Sequence, residues 1–147
     1  MIRAKYQIPA LFFILAAATV ATAFLLSHAE PAMDLYLHDT YYVISHTFIF
    51  SVLSLYFVAC AAIYLIYGKV VRNPTSLRLG HVHFWLSTLS VAILAYALHK
   101  THSFGTDVAR AQAVMHSLAE LSLAAFFGFF VAQIGFVVNV VWSFFRR

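Results

Sequence analysis

Charge is what this chain has least of. Asp, Glu, Lys and Arg make up 10% of its 147 residues, against about 25% in a typical soluble domain. Such a sequence cannot cover a water-facing surface with polar side chains. Cysteine is almost missing as well. Cys60 stands alone in the middle of an apolar run, so no internal disulfide is possible and no redox compartment is indicated. Nor is there a nucleotide-binding or phosphate loop, a CxxCH heme-attachment site, or a nucleophile and base at a recognisable spacing. These absences leave hydrolase and transferase chemistry, and nucleic-acid binding, without support. No internal repeat and no low-complexity tract divides the chain, and residues 1–147 read as a single domain.

Hydrophobicity fills the space that charge leaves. The chain is 63% hydrophobic, with a mean hydropathy of +0.88. Its 15 Phe and 8 Tyr suit lipid-facing and interfacial positions. A membrane-spanning helix needs about 20 apolar residues. Four segments qualify, at about 8–27, 40–67, 83–99 and 114–145. The second and fourth are long enough to tilt or project beyond the lipid. The expected fold is therefore all-α, a four-helix bundle in the membrane, with Asn73-Pro74 marking the turn between its halves. The first segment has the basic start of a signal peptide, and Ser27-His28-Ala29 resembles a cleavage site, but the segment is read as a membrane helix. Of the nine basic residues, all but Lys100 and Arg110 fall on the side that holds both termini and the central loop. The positive-inside rule then places both termini in the cytoplasm or its equivalent.

One string carries more than composition. Leu37-His38-Asp39-Thr40-Tyr41-Tyr42-Val43-Ile44-Ser45-His46 opens the second apolar run. It resembles the start of helix ten in subunit I of the heme-copper oxidases, the cytochrome c oxidase family. There the pattern is His-Asp-Thr-Tyr-Tyr, three residues, His, one residue, His. Gly80-His81-Val82-His83-Phe84-Trp85-Leu86 is similar to the start of helix eleven, and Val141-Trp142-Ser143-Phe144-Phe145 to helix twelve. The whole chain thus resembles helices nine to twelve of that subunit. The likeness implies a membrane protein of a bacterial or archaeal plasma membrane, or of the mitochondrial inner membrane, tied to electron transport in a respiratory chain.

The departures matter equally. His46 matches the family's proximal ligand of the high-spin heme, whereas Phe48 stands where the low-spin heme ligand belongs. The copper ligands and cross-linked tyrosine of the family lie on earlier helices. The paired arginines that hold heme propionates are replaced by Ser103-Phe104-Gly105-Thr106-Asp107-Val108-Ala109-Arg110. Alone, the chain is not expected to form a complete oxygen reductase.

Eight histidines are many for so apolar a chain. His81 and His83 fall at the inner end of the third segment, and the other six fall in the outer half. At about 1.5 Å per residue, His46 is expected about 9 Å into a helix that begins near Thr40. His99 closes the third segment and His116 opens the fourth at similar depth. Imidazole suits heme iron, copper and zinc. His46 is the first candidate axial ligand, with His99 or His116 as the second. Glu120, four residues after His116, shares its helix face and is placed to orient the ring; otherwise it is a lone acid in lipid, costing a few kcal/mol. His28, His38 and His102 read as interfacial and solvated, and His83 as a helix-end residue. Tyr41 and Tyr42 read as an interfacial pair, with Tyr42 also a candidate neighbour of the heme. His38 and Asp39 resemble a pair that lies near the family's magnesium site; they are weak metal candidates here, since the partner carboxylate is missing. Gln133 and Asn139 favour helix–helix contact over lipid.

The expectation is one b-type or related heme per chain, held by His46, in an electron-transfer or accessory subunit of a redox or oxygenase complex. A heme-free structural pseudo-subunit and a copper-binding subunit are the alternatives. Partners are the lipid bilayer and either other membrane subunits or copies of the same chain, including a homotrimer.

Overall fold

A computed structural model describes the backbone of residues 2–27, 32–37, 40–70, 75–102 and 108–145, and the side chains of 6–25, 43–70, 75–100 and 116–145. The elements are α1 (Ile2–Ser27), β1 (Ala32–Leu37), β2 (Thr40–Ser45), α2 (His46–Val70), α3 (Leu77–His102) and α4 (Val108–Phe145). Each helix contains a stretch long and apolar enough to cross a membrane. In lipid the backbone has no water to bond to, so a helix that satisfies its own N–H and C=O groups is the spanning solution. The chain divides into two compact units, Met1–Lys69 and Val70–Arg147.

The first unit differs from the sequence expectation at one point. Residues 40–45 are not the first turns of a helix. They form β2, antiparallel to β1, with Leu37 paired to Thr40 and Ala32 to Ser45. The local sequence explains this. Thr40-Tyr41-Tyr42-Val43-Ile44 is β-branched and aromatic throughout, a composition that favours a strand. Ser45 then stops the strand and caps the helix, its Oγ accepting the Phe48 N–H at 3.1 Å. His46 is thus the first residue of α2, and not a residue two turns in.

Below the cap, α1 and α2 pack antiparallel. Thr47 Oγ1 donates to Ala23 O at 3.5 Å, and Ser54 Oγ donates to Ala16 O at 3.1 Å. Further along, the Phe12 ring lies 6.0 Å from Phe57 and 5.7 Å from Tyr64. Large rings alternate with Ala16, Ala23 and Ala61, and Cys60 is enclosed in the same seam.

The second unit is built from smaller parts. Leu118, Ala125, Ala132 and Asn139 are the buried residues of α4, spaced every seven, with Ser143 following. Gly80, His83, Ser87, Ser90 and Ala97 face them from α3 at intervals of three, four or seven. That repeat keeps one stripe of each helix turned to the other. Small residues let the backbones approach closely, as in other membrane helix pairs. A Cβ added at Gly128 would sit 3.0 Å from Ser90 Oγ. At the start of α3 the contact becomes polar. Asn139 Oδ1 accepts the Ser76 N–H at 2.8 Å, and its Nδ2 donates to Ser76 O at 3.2 Å. Ser76 O also accepts the Gly80 N–H, the first bond of α3. One amide from α4 therefore satisfies the end of its neighbour.

Two variants check this seam by denaturant unfolding in detergent. Asn139→Ala removes both bonds to Ser76 and should destabilise by about 1–2 kcal/mol. Gly128→Ala should cost about 1 kcal/mol through overpacking, and Ser90→Ala, which deletes the atom it meets, should restore most of that loss.

Candidate functional site

The candidate ligands separate by unit. His46 belongs to the first. It is 3% exposed, held at the head of α2 by the Ser45 cap and close to the Ala23 level of α1 through Thr47. Phe48 is 62% exposed, so the side chain at the second ligand position points out of this unit. His99 and His116 belong to the second unit. Both are exposed, and the antiparallel pairing of α3 and α4 sets them at the same end of that pair.

His116 has the neighbour that its spacing suggests. Its Nδ1 lies 3.4 Å from Glu120 Oε1, one turn on, with both side chains mostly exposed. That is ion-pair range and longer than a tight charge-assisted hydrogen bond. A carboxylate on Nδ1 favours the proton there and turns Nε2 outward, the arrangement that orients a ligating imidazole. Among the described residues, no group of three or more His, Cys, Asp or Glu is placed to hold a metal ion. His28, His38 and Asp39 lie outside the described residues, as do the side chains of Tyr41, Tyr42 and His102.

One residue read from sequence as a helix-end histidine is part of the interior. His83 is 1% exposed. Its Nε2 lies 3.2 Å from Gln133 Oε1, and its ring stacks on Phe136 at 4.9 Å and 26°. The Gln133 amide nitrogen donates to Phe129 O at 3.0 Å, which turns the amide oxygen to the histidine. An amide oxygen can only accept, so His83 Nε2 carries the proton. The signal for this burial lay in the spacing of His83 with Ser87 and Ser90, which a reading by depth alone passes over.

The geometry defines an α-helical membrane protein whose buried imidazoles sit in two helix pairs. The family described as cytochrome c and quinol oxidase polypeptide I matches residues 2–131, and this chain belongs to that family. It is 25% identical over 120 residues to cytochrome c oxidase subunit 1 of Synechocystis sp., covering 80% of this chain and 22% of that protein. It is 28% identical over 122 residues to the alternative cytochrome c oxidase subunit 1 of Bradyrhizobium diazoefficiens, covering 78% and 21%. A shorter match, 32% over 72 residues, is to cytochrome c oxidase subunit 1 of Yarrowia lipolytica, covering 48% and 13%. The chain thus spans about a fifth or less of the length of these relatives. No solved structure gives a significant match. The protein is integral to a bacterial or mitochondrial membrane.

The His116–Glu120 contact is open to a direct check. In nitrogen NMR of the imidazoles, His116 should favour the tautomer protonated at Nδ1. Glu120→Gln should shift His116 toward the other tautomer and leave His83 unchanged.

Proposed function

We propose that this chain is a membrane subunit of a redox complex and holds one b-type or related heme through His46. The observation that carries the reading is the placement of His46: a buried imidazole at the first residue of α2, the turn that a capping serine closes. It also stands where the family resemblance puts the proximal heme ligand. The donor type and its exclusion from water fit a heme held by one imidazole. A bound heme would supply one-electron chemistry. His46 would anchor it, from a helix start that the Ser45 cap closes. His99 and His116 are the candidates for a second axial ligand, with Glu120 orienting His116. A copper site made by the outer histidines is an alternative.

A second reading has its own support. Phe48 cannot ligate a metal, and the loop after α3 lacks the family's arginine pair. A heme-free pseudo-subunit that keeps the helices as scaffold is consistent with both.

In either case we place both termini in the cytoplasm or its equivalent, following the basic residues. We also assign the chain to an assembly, with other subunits or as a homo-oligomer such as a trimer. The support is the exposed His116–Glu120 pair in the fourth span, since polar side chains in a membrane face a bundle interior or water.

Absorption spectra of the purified protein, with metal analysis, separate the readings. The heme reading expects a Soret band that His46→Ala abolishes while the protein still inserts. Wild type without heme or copper favours the scaffold, and a normal Soret band in His46→Ala removes His46 as the ligand. A stable, heme-loaded monomer with no partner in native mass measurement would overturn the assembly.

A further inference from the structure

Ser87 stands apart among the described hydroxyls of the membrane helices. Thr88 donates to Phe84 O at 2.8 Å, Ser122 to Leu118 O at 2.7 Å, and Ser143 to Val140 O at 2.7 Å. Each is satisfied by its own helix. Ser87 Oγ is wholly enclosed and has no hydrogen-bond partner among the described residues. Buried polar atoms are bonded in the great majority of cases, and where protein supplies no partner an ordered water commonly does.

The surroundings of Ser87 are polar and small. It lies one turn beyond His83 and one turn short of Ser90, all three buried on the α3 face turned to α4. The contacts of His83 with Gln133 and of Ser90 with Gly128 place Ser87 opposite the stretch between those two α4 residues. Buried Ala132 lies within that stretch, and buried Ala125 lies one turn beyond Gly128.

We propose that the α3–α4 seam binds an internal water molecule at Ser87, and that this water links the serine hydroxyl to the polar group made by His83 and Gln133. The site would be a hydrated pocket inside the membrane. Its ligand is water, and its chemistry is proton-for-deuteron exchange at the His83 imidazole, with no net charge moved. Gln133 fixes the His83 tautomer, and the water at Ser87 gives exchanging protons access to a ring otherwise sealed from solvent. The proposal is independent of the heme reading and applies to the protein with or without a cofactor.

Infrared spectra of the full chain in lipid, in ordinary and oxygen-18 water, test the site. An isotope-sensitive O–H band from internal water should be present in wild type, lost in Ser87→Ala, and kept in Thr88→Ala, whose hydroxyl bonds its own helix. Deuterium exchange at His83, followed by nitrogen NMR, should slow severalfold in Ser87→Ala and stay unchanged in Thr88→Ala. If Ser87→Ala leaves both the band and the exchange rate as in wild type, no water is held there. If Ser87→Ala instead raises thermal stability with no change in the band, the hydroxyl is merely unsatisfied, and the proposal fails.

Discussion

Every polar group placed inside lipid must find its partner within the protein. Most of this structure can be read as a response to that requirement. Helical hydroxyls bond back to carbonyls one turn away. Two hydroxyls of α2 reach across to carbonyls of α1. The end of α3, where backbone groups lose their intrahelical partners, is closed by an amide from α4. The non-helical residues that the structure describes between α1 and α2 pair with each other as a β-hairpin.

The two units meet the requirement with different materials. In α1 and α2, bulky rings fill the seam and polar contacts are few. In α3 and α4, alanine, glycine and serine share the buried positions with larger side chains such as Phe84, Val91 and Leu118, and amide and imidazole contacts add to the packing. Without a hydrophobic drive between helices in lipid, close packing and hydrogen bonds must hold them. The first unit relies more on packing, the second more on hydrogen bonding.

The spans were legible because composition alone reports them: long apolar stretches with basic flanks have one physical explanation. The start of α2 was not, because a span search scores hydrophobicity, and Tyr41, Tyr42, Val43 and Ile44 are as apolar in a strand as in a helix. Their β-branched and aromatic character, followed by a capping serine, was the signal available. Spacing did predict the approach of His116 and Glu120, since four residues bring side chains to one helix face. The depth of His83 along the span did not reveal its burial, because its partners are Gln133 and Phe136 of α4, fifty or more positions away in sequence. Asn139 was readable as a helix-contact residue from its polarity, but its particular partner, a backbone end, was not.

The cap at Ser45 fixes the angular phase of α2. A helix turns about 100° per residue, so side chains two positions apart point about 200° around the axis, nearly back to back. His46 and Phe48 obey this: one is enclosed in the seam and the other faces outward. The two positions of the family's paired-histidine pattern therefore address separate surroundings. Exchanging the outer one for phenylalanine alters a surface and leaves the seam around the inner one intact. The outward position can thus change without repacking the helices between which the inner one lies.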